Sequence, residues 1–305
     1  MSSIPPVAPV LAEVVRSGFV EGRHRGALVV LAADGSVERA LGDVTGPVFP
    51  RSSNKPLQAA AVLRSGLGLA GERLALAAAS HAGEDAHRRL AARLLAEAGL
   101  GEEALRCPPD RPLGGGEPSR SAMNCSGKHA AMLAASAANG WPVETYTDPD
   151  HPLQLLARET IEAATGETVA HVGVDGCGAP LFAFSLTGLA RAFRGCVLAA
   201  PDSPERRVAD AMRAHPWYVA GTGRPDTLLM AAVPGLLAKG GAEGVQAVAL
   251  PDGRALAFKI EDGAARALGP VLAALLTTLG VDASAVPPEP VTGGGRPVGE
   301  VRATV

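Results

Sequence analysis

The chain has 305 residues, 47% hydrophobic and 19% charged, with 28 basic and 31 acidic side chains and a net charge of −3. That composition belongs to an ordered globular protein with enough apolar surface for a sizeable core, and it excludes a disordered or low-complexity scaffold. The near balance of charge gives no electrostatic reason to expect nucleic acid or an anionic membrane as a partner.

Taken in chain order, residues 1–15 carry Pro5, Pro6 and Pro9, have no basic run, and reach Glu13 before an apolar stretch develops. No secretory signal is read there. Alternating apolar residues predict strands over 10–16, 26–33 and 37–41, the last two joined by a turn at Asp34-Gly35. Pro56 falls in the first turn of a helix reaching about residue 65, where proline is tolerated. Further helices are predicted over 72–79, 85–98, 130–138, 152–164, 180–193 and 204–214. The Gly- and Pro-rich stretch 107–120 reads as a loop and a candidate mobile segment. Strands follow over 245–250 and 254–260, joined at Pro251-Asp252-Gly253, and then a helix over 264–279. The longest apolar run, 267–281, contains Gly269 and Pro270 and is too short to span a bilayer. Strands at both ends with helices between them predict an α+β fold. One sheet is built from about 1–50 and 235–305, and a helical lobe over about 51–234 is inserted into it. Together they make a single catalytic domain with a cleft where lobe meets sheet.

Of the 28 basic residues only four are lysines, Lys55, Lys128, Lys239 and Lys259, leaving 24 arginines. Lysine can be driven toward neutrality by burial or a nearby cation and then serve as base or ligand, whereas guanidinium stays charged. Ser52-x-x-Lys55 places a hydroxyl and an amine on one face of a helix, with Ser53 pointing elsewhere, as an amine-activated nucleophile requires. Lys239-x-Gly241 before an apolar strand has the form of the third signature of serine β-lactamases and penicillin-binding proteins. There the glycine lets substrate lie against the strand, and a following N–H, that of Ala242, can complete an oxyanion hole.

Cys125 and Cys177 both sit in glycine-rich turns. Their spacing lacks the C-x-x-C form of ordinary structural zinc sites, so spacing alone favours buried inert thiols. With Cys107 and Cys196 they make four cysteines, which without a signal argue for reduced thiols in the cytoplasm. Three tempting motifs fail. Gly66-x-Gly68-x-x-Gly71 follows a helix instead of a strand, Gly127-Lys128 lacks the rest of a Walker A loop, and His81, Glu84 and His87 do not make a zincin helix.

Together these blocks resemble the bacterial L-asparaginase II-like family, which is unrelated to the threonine-nucleophile asparaginases. The resemblance runs in order through Pro50-Arg51-Ser52-Ser53-x-Lys55-Pro56, Ala79-Ser80-His81-x-Gly83-Glu84 and Asn124-Cys125-Ser126-Gly127-Lys128-His129. It continues through Val174-Asp175-Gly176-Cys177-Gly178, Gly221-Thr222-Gly223-Arg224-x-Asp226-Thr227 and Lys239-x-Gly241-Ala242-Glu243-Gly244. It implies a serine β-lactamase-like fold, similar to serine-dependent glutaminases, and hydrolysis of L-asparagine to L-aspartate and ammonia. It also implies a second serine–lysine pair, Ser80 with Lys239 (Lys259 being the alternative), and a zinc held by Cys125, Lys128 and Cys177.

The expected catalytic set is therefore Ser52, Lys55, Ser80 and Lys239. Arg51, His129 and Asp175 are expected to hold the substrate's α-groups, and the N–H of Ala242 the oxyanion. The expected partners are a small amino-acid amide and a second copy of the chain in a homodimer, with neither nucleic acid nor membrane. Rival readings are a cytoplasmic glutaminase, a β-lactamase or D,D-peptidase-like serine hydrolase, and a non-catalytic zinc-binding module.

Overall fold

The computed structural model describes residues 7–305; the first six residues of the N-terminal stretch discussed above lie outside the described residues. From the N-terminus come β1 (Val10–Arg16), β2 (Phe19–Leu31), β3 (Val37–Leu41) and the two-residue β4 (Pro47–Val48). A one-turn 3-10 helix at Arg51–Asn54 runs directly into α1 (Lys55–Arg64), followed by α2 (Gly71–Ala77), α3 (Asp85–Glu97), α4 (Ser126–Ala138) and α5 (Pro152–Thr165). Then come β5 (His171–Val174), β6 (Pro180–Ser185), α6 (Leu186–Leu198), α7 (Pro204–Ala214), α8 (Pro216–Ala220) and α9 (Pro225–Ala232). The chain returns to the main sheet as β7 (Leu237–Gly241), β8 (Val245–Ala249) and β9 (Ala255–Ile260), and closes with α10 (Leu268–Thr278), β10 (Pro290–Gly293) and β11 (Arg296–Ala303).

The eight-stranded antiparallel sheet runs β10-β11-β1-β2-β9-β8-β7, with β3 also paired to β2. It is built from both ends of the chain, as the distribution of apolar runs predicts. β2 shows why two patterns occur in one strand. Its first half alternates in exposure against β1, whereas Leu28–Leu31, held between β3 and β9, is buried throughout. β8 is buried at all five positions because helices cover that part of the sheet, and α6 packs on β2, β8 and β9. α1 is buried from Lys55 to Leu63, on every side, so it is a central helix; Ala59, Ala60 and Ala61 let α4, α5 and α7 pack around it. Among the described residues no helix is long and apolar enough to cross a membrane.

Two expectations are corrected, and one pair of strands is added. Residues 180–193 are not one helix: β6 is a strand with all six side chains buried, and α6 begins only after Ser185, whose hydroxyl caps it by accepting Gly188 N–H at 2.9 Å. A run buried on both faces has no period of two, so Phe182 and Phe184 read equally well as helix. β6 joins β4 and β5 in a second, three-stranded sheet. The C-terminal hairpin β10–β11 was also not foreseen; β11 pairs along β1 and joins the chain's two ends in one ladder. Finally, α4 starts at Ser126, which places Lys128 and His129 in its first turn.

Candidate active site

The site forms where the 3-10 turn, the segment after α2, the start of α9 and the end of β7 meet, around a cavity of ≈ 360 Å³. Pro50 anchors the turn: Ser53 donates to its carbonyl from both N (3.2 Å) and Oγ (2.6 Å), so Ser53 is buried and faces away from the cavity. Arg51 adopts φ 52°, a left-handed conformation that costs a side chain of its size roughly 1–3 kcal/mol. Ser52 lines the cavity from the first turn of this helix, where backbone N–H groups have no partner within the helix.

Lys55 is 1% exposed. Its ammonium has three donors, and they go to Ala79 O (2.5 Å), Ser80 Oγ (2.9 Å) and Cys125 Sγ (3.0 Å). The Lys55 backbone N–H donates to Ser52 O, but among the described residues no hydrogen bond joins the Lys55 amine to the Ser52 hydroxyl; the i,i+3 spacing puts them in one site, and the amine's direct serine contact is with Ser80. Ser80 lines the cavity opposite and is held by its N–H to Val219 O (2.9 Å). The next residue, His81, accepts Gly83 N–H at Nδ1 (3.1 Å), so Nε2 carries the ring proton and donates to Ser126 Oγ (3.0 Å). Burial holds this imidazole neutral, well below the ordinary histidine range. His81 thereby fastens the Ser80 turn to the start of α4.

Lys239, on β7, is also 1% exposed and lines the cavity. Its amine donates to Gly240 O (2.7 Å) and lies 3.4 Å from Asp226 Oδ2. Burial lowers its pKa to about 8, against the upward pull of Asp226; the Lys55 charge adds to the lowering. Lys259 sits apart on β9. It is half-buried, donates to Glu243 O (2.6 Å) and does not line the cavity.

Gly241 serves the site differently from the sequence expectation. A Cβ there would lie 2.5 Å from Pro50 O and 3.2 Å from the N atoms of Ser52 and Ser53. The missing side chain lets β7 press against the turn that carries Ser52, which sets the Ser52 N–H beside the strand that leads into Ala242. Ala242 itself is exposed at the cavity wall. The loop is held by Glu243, at φ 58°, whose carboxylate lies 3.6 Å from Arg51. Two of the three non-glycine residues with positive φ among the described residues, Arg51 and Glu243, are thus the two partners of this contact.

Behind Lys55 lies a second cluster. Cys125 and Cys177 are buried free thiols, and Lys128 Nζ donates to Cys177 Sγ at 3.2 Å. Hydrogen bonding between the two thiols pulls Cys177 well below the usual thiol range and pushes Cys125 up. Arg51 closes this cluster from above through its ion pair with Asp175 Oδ1 (2.8 Å). His129 is fully buried beside Cys177. The Tyr146 hydroxyl accepts Arg106 N–H (2.9 Å) and so donates to His129 Nδ1 (2.6 Å), leaving the proton on Nε2, which has no hydrogen bond of regular geometry. Arg51, His129 and Asp175 therefore gather at the thiols and not at the cavity wall, whose charged groups are Asp110, Arg111, Arg224, Asp226 and Lys239.

Among the described residues no group of three His, Cys, Asp or Glu side chains is placed to hold a metal ion. The converging donors are instead two sulfurs and the Lys128 amine. That soft set suits zinc once the amine gives up its proton.

Sequence reasoning assigned no role to Asp226, Arg111, Arg224 or Asn124, all of which line the cavity. The available signal was Asp226 directly after Pro225, an acid in the first turn of a helix within the Gly221–Thr227 block.

The model of the L-asparaginase II family matches residues 12–303. The chain belongs to that family. No curated protein matches it. Among solved structures it is similar to a β-lactamase from Mycobacterium bovis, at 15% identity over 89% of this chain and 96% of that one, with a TM-score of 0.48. It is also similar to a Bacillus glutaminase, at 13% identity over 84% of this chain and 91% of that one, with a TM-score of 0.48. A third is Mglu in its native form, at 16% identity over 85% of this chain with a TM-score of 0.45; the chain spans 66% of the length of that protein.

Proposed function

We propose that the protein hydrolyses the side-chain amide of L-asparagine to L-aspartate and ammonia, by serine–lysine covalent catalysis. The observation that carries the reading is the convergence of two serines and two buried lysines on one cavity: Ser52, Ser80 and Lys239 at its wall, with Lys55 bonded to Ser80 from behind. Membership of the L-asparaginase II family supports the amide as substrate.

In this reading Ser52 Oγ attacks the amide carbon as its proton passes to the amine of Lys55. The oxyanion is met by the N–H groups of Ser52 and Ala242. The tetrahedral species collapses when Ser80 Oγ gives its proton to the departing nitrogen and is reprotonated from the lysines, so that ammonia leaves and an aspartyl ester remains on Ser52. Water, deprotonated by the same lysines, then attacks the ester carbon; the C–O bond to Ser52 breaks, the lysines return the proton to Ser52 Oγ, and aspartate leaves. Cys125, Cys177 and Lys128 would hold zinc, which would supply a fixed positive charge behind Lys55. Arg51 and Asp175 keep the thiol cluster closed to water, and the Arg51–Glu243 contact holds the oxyanion loop against the turn.

Ammonia release from L-asparagine and from L-glutamine, each with and without a chelator, tests the reading. We expect asparagine to be the better substrate. A preference for glutamine would make the protein a glutaminase using the same four residues, and no release from either amide would reject the reading.

A further inference from the structure

We propose that Asp226 is the positioning residue for Lys239, orienting its amine so that the lone pair of the neutral form faces the cavity. Asp226 is the second residue of α9 and 8% exposed, yet it meets no arginine. Its carboxylate accepts Gly240 N–H at 2.9 and 3.1 Å and Gln246 Nε2 at 3.3 Å, and lies 3.4 Å from Lys239 Nζ. It therefore grips β7 at the residue after the lysine and the lysine's own amine together, with Gln246 of β8 as a brace.

The consequence follows from counting hydrogens. A neutral lysine amine has two N–H bonds and one lone pair. Two acceptors bound Lys239 Nζ on the protein side, Gly240 O at 2.7 Å and Asp226 Oδ2. With both hydrogens occupied, the remaining position points into the cavity shared with Ser52 and Ser80. Without Asp226 the amine could turn a hydrogen toward the cavity and present no base. The charged and titratable groups around Lys239 are Asp226 on α9, Lys55 on α1 and Cys125 before α4; of these only Asp226 adds negative charge in direct contact. Asp226 thus sets both the direction of the amine and how readily it takes a proton.

Having only four lysines makes the test direct. Protein labelled with 13C at lysine Cε gives four signals, and the one lost in Lys239→Arg belongs to Lys239. In Asp226→Asn, where the side-chain oxygen still accepts Gly240 N–H, the Lys239 titration midpoint should fall by about one pH unit or more, because an adjacent carboxylate ordinarily raises a lysine pKa by that much. The rising limb of ammonia release should move the same way, and kcat should fall up to about a hundredfold through lost orientation. Asp226→Glu should restore the midpoint to near the wild-type value and recover only part of kcat. An unchanged midpoint in folded Asp226→Asn overturns the proposal. Should that variant not fold, the wild type decides: the Asp226 carboxyl carbon signal must shift with the same midpoint as Lys239, and independent titrations overturn the proposal. The kinetic arm rests on the amidohydrolase reading. If the wild type releases no ammonia, that reading fails while the lysine titration still judges Asp226.

Discussion

At the scale of single residues the site is a contest between burial and charge over Lys239. Lys239 is lowered to about 8 by burial in spite of Asp226, so near neutral pH it is mostly protonated and becomes a base as pH rises through about 8. Activity should rise through that range. The same shift predicts a stability trend. The unfolded chain, with an ordinary lysine value of 10.5, binds more protons than the folded one between about pH 8 and 10.5, so the contribution of Lys239 to stability is least below pH 8 and grows across that window. Lys239→Arg should abolish ammonia release, because guanidinium cannot accept a proton near neutral pH. Lys259→Arg, whose amine caps Glu243 O outside the cavity, should stay within a fewfold of wild type. A dead Lys259→Arg beside an active Lys239→Arg would reverse the assignment.

At the scale of elements, the site depends on β7 lying against the turn that carries Ser52. Gly241→Ala would push a methyl group into Pro50 O and the Ser52 N–H, both backbone, and neither can yield cheaply. We expect a loss of ammonia release of about a hundredfold or more with the sheet intact, since a displacement near 1 Å is enough for that. Activity near wild type with unchanged thermal stability would show that the close approach does not matter. The lysine–glycine motif was legible in the sequence, but its physical reason was not: the glycine faces a turn nearly 190 residues earlier in the chain, and no local pattern encodes that approach. β6 was missed for a related cause. Its burial on both faces comes from β4, β5 and the packed helices, and it erases the alternation that marks a strand. By contrast α1 was legible because Pro56 marks its first turn.

At the scale of the whole molecule, the sheet built from both chain ends and the helices between them place Lys55 in contact with both Ser80 at the cavity and Cys125 of the thiol cluster. The motif residues could be picked out from sequence, but their division between cavity and thiol cluster could not, because it depends on which way Arg51, Asp175 and His129 turn. Asp226 lay inside a recognisable block with no chemistry visible until β7 was brought to it. If the cluster holds zinc, Cys125→Ala and Cys177→Ala should each lose one zinc per chain by elemental analysis; zinc retained in both would make the thiols core residues. The most direct test of serine–lysine amide hydrolysis is the covalent intermediate itself. After mixing with L-asparagine and quenching in acid, the peptide containing Ser52 should gain the mass of one aspartyl group, and Ser52→Ala should show neither adduct nor more than about a tenth of wild-type kcat. Full turnover in Ser52→Ala, or an adduct found only on another residue, would contradict the account.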